Sequence, residues 1–297
     1  MSLFAGRTHL SSATGLYDVV SEASSAIVIR EYSTSFGLTS RLLAEPVRSQ
    51  VRNIYALVRV ADEIVDNPDP TLATETRAAL LGRLEEDVTA ARRTRYSGNL
   101  VVHAFARTAA AVGIDDDLVA PFFTSMRTDL DTRVHTQESF DTYVYGSAEV
   151  VGLMCLKAFL AAPDATGHRS QTYDRLAPGA RRLGAAFQKL NFVRDLAEDH
   201  DVLRRDYFPG LDVDTFCDAD RDRILSDIDA DLEAAGAVVP ALPASSRRAV
   251  RAAHATFAEL SSRIRQTPAH QIRHQRVSVP RSVKLRLLLG SLHEART

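Results

Sequence analysis

The chain has 297 residues, 45% of them hydrophobic, enough to bury one sizeable core and long enough to permit two domains. Its 36 basic and 38 acidic residues nearly cancel, to a net charge of −2, and the basic ones lie scattered among acidic neighbours, which argues against a nucleic-acid binder. Cys155 and Cys217 make neither a disulfide framework nor a metal-binding pair, and suit a reducing cytoplasm as buried structural thiols.

In chain order, the first fifteen residues, MSLFAGRTHLSSATG, lack the continuous apolar core of a signal peptide. Long stretches rich in Ala, Leu, Arg, Asp and Glu follow, and all of these except Asp favour helices. Breaks are expected at Glu45-Pro46, 66–71, 96–99, 112–117, 162–168, 207–212 and 238–246, where Pro, Gly, Asn and Asp cluster. The pattern predicts an all-α protein of about eight or more helices. VVPALPASS (238–246) is the best candidate boundary, but helical pattern resumes beyond it, so a single domain over 1–297 is predicted. The longest apolar run, VVGLMCLKAFLAA (150–162), is interrupted by Lys157 and too short to span a bilayer.

Two predicted helices carry chemistry. Between Val47 and Asp66, Val51, Ile54, Val58, Ala61 and Val65 recur at helical spacing as an apolar stripe. A neighbouring stripe runs Tyr55, Arg59, Asp62, Asp66 and ends just before an Asn-Pro. Like charges four apart on a helix repel by roughly 0.2–0.5 kcal/mol. In the second stretch, 186–209, Gln188, Asn191, Asp195, Glu198 and Asp199 gather on one arc with Arg194 at its edge, opposite Leu190, Val193, Leu196 and Ala197.

One such pair alone reads as a solvated face. Two helices, each with aspartates four apart and an arginine beside them, read better as a diphosphate site. Mg²⁺ takes hard oxygen ligands and is usually completed by substrate phosphate, while arginine matches phosphate oxygens with a planar fork. The chain has no GxxxxGK[ST] and no strand-Gly-rich-helix context, which argues against P-loop or dinucleotide binding.

These residues resemble the squalene and phytoene synthase family. The likeness runs from EYSTSFG (31–37) through IYALVRVADEIVD (54–66), SMRTDL (125–130), YVYGSAEVVGLM (143–154) and GAAFQKLNFVRDLAEDHDVLRRDYFP (184–209) to RVSVPRSVKL (276–285). The first acidic motif is more similar to that of the bacterial phytoene synthases within the family. The resemblance implies an isoprenoid synthase fold, its helices around a deep apolar cavity with both acidic helices at the mouth.

By the same resemblance, Asp62 and Asp66 would hold Mg²⁺ for one prenyl diphosphate, and Asn191, Asp195 and Asp199 for the other, with Mn²⁺ as the alternative metal. Arg59, Arg194, Arg205 and Arg276 would contact diphosphate oxygens, as would the Ser35 hydroxyl; Arg204 stands as the alternative to Arg205. Tyr55, Tyr143, Gln188 and Tyr207 would lie near the reacting carbons; separately, SFGLTS (35–40) puts Phe36 and Ser40 on one helical face, where the small Ser40 would leave room for a C20 chain. Tyr55 and Arg59 join the acidic ligands as the catalytic set. Glu149 falls where relatives carry a small residue, so it should turn away from the channel or be paired.

The implied reaction condenses two geranylgeranyl diphosphates head to head to a cyclopropylcarbinyl diphosphate, then rearranges it to phytoene, without NADPH. The alternatives are a dehydrosqualene or squalene synthase using farnesyl diphosphate, a terpene cyclase acting on one prenyl diphosphate, and a non-catalytic scaffold of the same fold. The expected place is the cytoplasm, with Arg276, Arg281, Lys284 and Arg286 resting on the inner face of the membrane and no nucleic-acid partner. HQIRH (270–274) reads as a basic surface helix, DDD (115–117) as a helix start, and Asp129 as either a family position or a structural acid.

Overall fold

A computed structural model describes residues 15–67, 69 and 71–293, without the side chains of 34, 35, 292 and 293. Among the described residues fourteen α-helices follow one another. The first six are α1 (Leu16–Tyr32), α2 (Thr34–Thr39), α3 (Val47–Val65), α4 (Thr74–Thr94), α5 (Leu100–Val112) and α6 (Asp116–Asp131). Then come α7 (Gln137–Val144), α8 (Val150–Leu160), α9 (Arg169–Arg194) and α10 (Leu196–Glu198). The chain closes with α11 (Asp218–Val238), α12 (Ala244–Gln266), α13 (Ala269–Ile272) and α14 (Arg281–His293). Among the described residues the only β pairing is one bridge, Val134 with Asp206.

The expected breaks fall at or between helix ends, and local chemistry explains them. Asn99 caps α5 by accepting from the amides of Val101 and Val102, and Gly113 ends it at φ +81°, a conformation without penalty for glycine. Thr136 and Ser139 cap α7 reciprocally. At the DDD start, the Asp115 side chain makes no cap bond; Asp116 and Asp117 stand in the first turn of α6, where the helix dipole favours negative charge.

Three expectations are corrected. The helix read across 186–209 is not continuous: α9 stops at Arg194, Asp195 leaves helical geometry (φ −101°, ψ 11°), and a π turn at Asp199–Leu203 ends on Arg204 at φ +58°. This bend, rather than Pro209, carries Arg205 and Tyr207 inward, where both are buried. The apolar run at 150–162 belongs to a longer path: α7 and α8 join through a π turn at Tyr145–Glu149, giving a 24-residue helical stretch, Gln137–Leu160, long and apolar enough to cross a membrane. It is mostly buried against its neighbours, so it is a core helix here. Cys217 is exposed, not buried, because it sits at the entry to α11, its Sγ donating to Asp220 Oδ2 at 3.1 Å.

The core divides into two main bodies. One unites α3, α4, α5, α6 and α8 through residues such as Ile54, Leu81, Phe105, Phe122 and Met154. The other unites α7, α9, α11 and α12 through Leu190, Phe192, Leu225, Ile228 and Ile264. Glycines seam them together: a Cβ on Gly152 would lie 2.5 Å from the Ala180 carbonyl oxygen, and one on Gly184 would lie 2.5 Å from that of Ala148. α8 and α9 therefore touch backbone to backbone. Asp231, 2% exposed, pins α9 to α11 by accepting from Arg182 at 2.7 Å and Lys189 at 2.8 Å, which satisfies a carboxylate that would otherwise be costly to bury.

Candidate active site

A cavity of ≈ 1170 Å³ opens between the two core bodies, larger than the roughly 300–1,000 Å³ usual for a small-molecule pocket. One face of α3 lines it, from Val51 through Ile54, Tyr55, Val58, Arg59 and Asp62 to Asp66. One face of α9 does the same, from Leu176 through Ala180, Leu183, Phe187 and Gln188 to Asn191. Fifteen residues separate the first and last of each set, about 22 Å of helical rise. Each wall is apolar at its far end and polar at its near end, where Asp62 and Asp66 follow on one side and Asp195, just past α9, on the other. Phe159, Val239, Leu242 and Val250 also line the cavity.

Both acidic motifs stand at helix C-termini: α3 ends at Val65 with Asp66 as its cap, and α9 ends at Arg194 with Asp195 as its cap. The negative end of a helix dipole disfavours a carboxylate and favours a cation. Burial, and then the neighbouring Asp66, push the Asp62 carboxyl up to about 8. Burial, and then Asp195, push Asp199 to about 8 as well. Arg59 beside Asp62 and Arg205 beside Asp199 pull the other way without offsetting this.

The two motifs are neutralised differently. Asp66 Oδ1 accepts from Arg205 Nη1 at 2.6 Å. Asp195 is gripped by two arginines: Oδ1 accepts from Arg194 Nε at 3.0 Å and pairs with Arg276 Nε at 2.7 Å, while Oδ2 accepts from Arg194 Nη2 at 2.5 Å and Arg276 Nη2 at 3.2 Å. Arg59 pairs with Glu63 and lies over the Tyr32 ring, 4.5 Å from its centroid. Phe36 stacks on Tyr55 at 5.6 Å. Gln188 and Asn191 face the cavity, as does Ser40, whose hydroxyl donates to the Gly37 carbonyl.

Arg205 departs from expectation. It is 6% exposed and does not line the cavity; its guanidinium goes to Asp66, Tyr207 and the Val65 carbonyl. The bend at Arg204 turns it under α3, so it serves the first acidic motif rather than standing free for a diphosphate. Arg204 is exposed and also off the cavity wall. The Ser35 side chain lies outside the described residues. Glu149 is paired with Arg181, Nε to Oε2 at 2.6 Å, and lines a separate outer pocket, not the channel. His270 and His274 are exposed and off the cavity.

Asp129 is the residue whose part the sequence left open. It is buried, it lines the cavity, and it accepts from Tyr143 Oη at 2.8 Å and Tyr207 Oη at 3.1 Å. Burial pushes its carboxyl up to about 6 against the opposing pull of Arg205. The available signal was an acid continuing the stripe of Phe122 and Met126 at helical spacing. Cys155 also faces the cavity, but burial pushes its thiol up to about 12, leaving it neutral and a poor nucleophile.

Among the described residues no three His, Cys, Asp or Glu side chains converge as a ready metal cluster. The donor set nevertheless fits Mg²⁺. It consists of hard oxygens, and crowded carboxylates with raised pKa values are the groups a cation would relieve.

A helical bundle around a deep cavity, with two acidic helix ends at one end of it, is the architecture of the isoprenoid synthase fold. The match to a dehydrosqualene synthase structure has a TM-score of 0.75 at 21% identity, covering 94% of this chain and 98% of that one. A squalene synthase from Alicyclobacillus acidocaldarius matches at 0.70 and 17% identity, over 85% and 96%. The chain belongs to the squalene/phytoene synthase family, whose model matches residues 29–283. It is 27% identical to a 15-cis-phytoene synthase of Enterobacter agglomerans over 291 residues, 89% of this chain and 92% of that one. It is 31% identical to a chloroplastic phytoene synthase of Zea mays over 176 residues, 58% of this chain but only 39% of the longer maize protein.

Proposed function

We propose that the protein joins two geranylgeranyl diphosphates head to head, through a cyclopropylcarbinyl diphosphate, to give phytoene. The observation that carries this reading is the polarity of the cavity, acidic and arginine-bearing at one end and apolar along the rest of its length. Asp62 and Asp66 would hold Mg²⁺ for one substrate, and Asn191, Asp195 and Asp199 for the other, with Mn²⁺ as a substitute. The metal supplies Lewis acidity for the departing diphosphate. Arg59, Arg194 and Arg276 supply fixed positive charge at the same end.

Loss of diphosphate leaves an allylic cation on the carbon just inside the mouth. Apolar walls exclude the water that would quench it, and the aromatic rings of Tyr55, Phe36, Tyr143 and Phe192, which line the cavity, would favour a cation through their quadrupole. The first ionisation releases one diphosphate and joins the two chains, and loss of a proton from the coupled cation closes the cyclopropane ring. The second releases the other diphosphate, and the rearranged cation then gives up a proton to form the central double bond. No reductant enters that balance, so NADPH is not required.

Extraction and mass analysis of the hydrocarbon formed from geranylgeranyl or farnesyl diphosphate with Mg²⁺, with and without NADPH, tests the reading. Phytoene formed irrespective of NADPH is the expected result. A C30 product alone would move the protein to farnesyl substrates, a cyclic product to the cyclases, and no turnover to the scaffold reading. The same assay checks chain length within the site. Ala180 stands eleven residues before Asn191 on the cavity face of α9, about 16 Å down the channel. Ala180→Phe fills that depth and is expected to lower turnover of the C20 substrate relative to the C15 one by about tenfold or more.

We further propose a cytoplasmic protein whose cavity mouth rests on the inner face of the membrane, since the product is insoluble in water. Tyr32 and Val202 line the cavity yet are 51% and 65% exposed. Leu285 and Leu289 on α14 are also exposed, one turn apart and among Arg281, Lys284 and Arg286. Flotation with anionic but not neutral vesicles at low salt is expected, and absence of binding to both would overturn this.

A further inference from the structure

We propose that Asp129 is a positioning residue: it fixes Arg205, and through Arg205 the orientation of Asp66, so that the first acidic motif is set in place before any cation or diphosphate arrives. The proposal rests on the diphosphate-site reading above and assigns a role that the two motifs by themselves do not contain.

The network is buried at the cavity wall. Asp129, Tyr143, Arg205 and Tyr207 are 8%, 3%, 6% and 6% exposed. Both Asp129 oxygens take a tyrosine hydroxyl, Tyr143 on Oδ2 and Tyr207 on Oδ1, and Oδ1 also stands 3.7 Å from Arg205 Nη1. Arg205 Nη1 donates to Asp66 Oδ1 at 2.6 Å and to Tyr207 Oη at 3.3 Å, and Nη2 donates to the Val65 carbonyl at 3.2 Å. Ring packing holds the tyrosines: Tyr207 is stacked on Phe192 at 3.9 Å and on Tyr143 at 5.3 Å. Little in this group can rotate without displacing several neighbours.

Asp66 is the opposite case, since its side chain is 38% exposed at the end of α3. Left to itself, it would turn towards water and away from the negative helix terminus. Arg205 prevents this by taking one carboxylate oxygen, and among the described residues no other group bonds to Asp66 through its side chain. Arg205 can hold that position only if its own buried charge is balanced. Asp129 adds to that balance, its Oδ1 standing 3.7 Å from the same Arg205 Nη1 that holds Asp66. In the second motif, Asp195 has no buried arginine of this kind. Its carboxylate is held by Arg194 and Arg276, which are 23% and 59% exposed and free to reorient towards a ligand. One motif is rigid and the other adaptable.

The test compares wild type, Asp129→Asn and Tyr207→Phe, using Mn²⁺ with inorganic pyrophosphate as the probe. Free Mn²⁺ is followed by electron paramagnetic resonance, with the Mg²⁺ dependence of turnover measured alongside. Asp129→Asn is expected to raise the half-saturating metal concentration by about tenfold or more, as supporting groups around metal ligands do, and Tyr207→Phe to raise it by less. A purely structural role would lower melting temperature in both variants and leave metal affinity unchanged in whatever remains folded. If Asp129→Asn does not fold, Tyr207→Phe decides. Wild-type metal affinity in a folded variant would overturn the proposal even if turnover fell, and so would failure of the wild type to bind Mn²⁺ with pyrophosphate. Weakened binding in the variants, with no hydrocarbon made by the wild type, would keep the positioning role and remove the proposed reaction.

Discussion

Asp62→Ala and Asp195→Ala are each expected to lower kcat/KM for hydrocarbon formation by about 10³-fold or more, while both proteins stay folded. The magnitude follows from the chemistry. Each change removes a ligand for the cation that stabilises a departing diphosphate, an electrostatic effect of several kcal/mol, and each 1.36 kcal/mol is tenfold in rate. The two variants should differ in stability. Asp62 is a carboxylate whose charge the fold disfavours, so its removal relieves the native state. Asp195 bonds to both Arg194 and Arg276, so its removal leaves two guanidiniums facing each other, and a modest drop in melting temperature is expected. Product analysis with calorimetry on the same samples checks both parts. Turnover within tenfold of wild type in either variant would remove that aspartate from the proposed chemistry.

The second large effect is an inversion of stability with pH. Asp62 has an ordinary carboxyl pKa near 4 in the unfolded chain and is pushed to about 8 in the fold by burial and by Asp66. Between those values the native state holds a proton that the unfolded chain releases. This contribution to stability is therefore complete below about pH 4 and is lost as pH rises through about 8. Asp199, also at about 8, acts in the same direction. Metal-free wild type should accordingly lose melting temperature from pH 6 to pH 8.5. Asp62→Asn carries no titrating group there, and at pH 8.5 in EDTA it should melt higher than wild type, by about 2–4 °C. Added Mg²⁺ and pyrophosphate should reverse the order, since ligand binding stabilises only the protein that binds it. Melting curves in EDTA at the two pH values decide the matter, and an Asp62→Asn protein no more stable than wild type at pH 8.5 would count against a strained carboxylate pair.

Much of the molecule was legible along the chain. The break signals at 96–99 and 162–168 fall between helices and that at 112–117 spans the junction of α5 and α6 because Pro, Gly and capping side chains act on the residues next to them. The stripe of Val51, Ile54, Ala61 and Val65 is buried because a period of 3.6 residues needs no knowledge of the partner helix. The same periodicity put Tyr55, Arg59, Asp62 and Asp66 on one face, and that face lines the cavity.

Where local pattern gave out, a distant element had intervened. Helical spacing carried straight through Asp195, but the chain bends there and again at Arg204 to place Arg205 and Tyr207 beneath α3. Cys217 reads as a core thiol by residue type, yet its place at the entry to α11 leaves it in water. The part of Asp129 depends on Tyr143 and Tyr207, fourteen and seventy-eight residues away.

The sequence by itself determined that this is a helical protein carrying two acidic faces suited to cations and diphosphate, because periodicity, capping and charge spacing act over a few residues. Only the tertiary structure decided that the faces share one cavity, that Arg205 supports Asp66 from 139 residues away, and that Asp195 is held by arginines of its own. Those facts depend on which surfaces pack, and burial sets the energy of every charge involved.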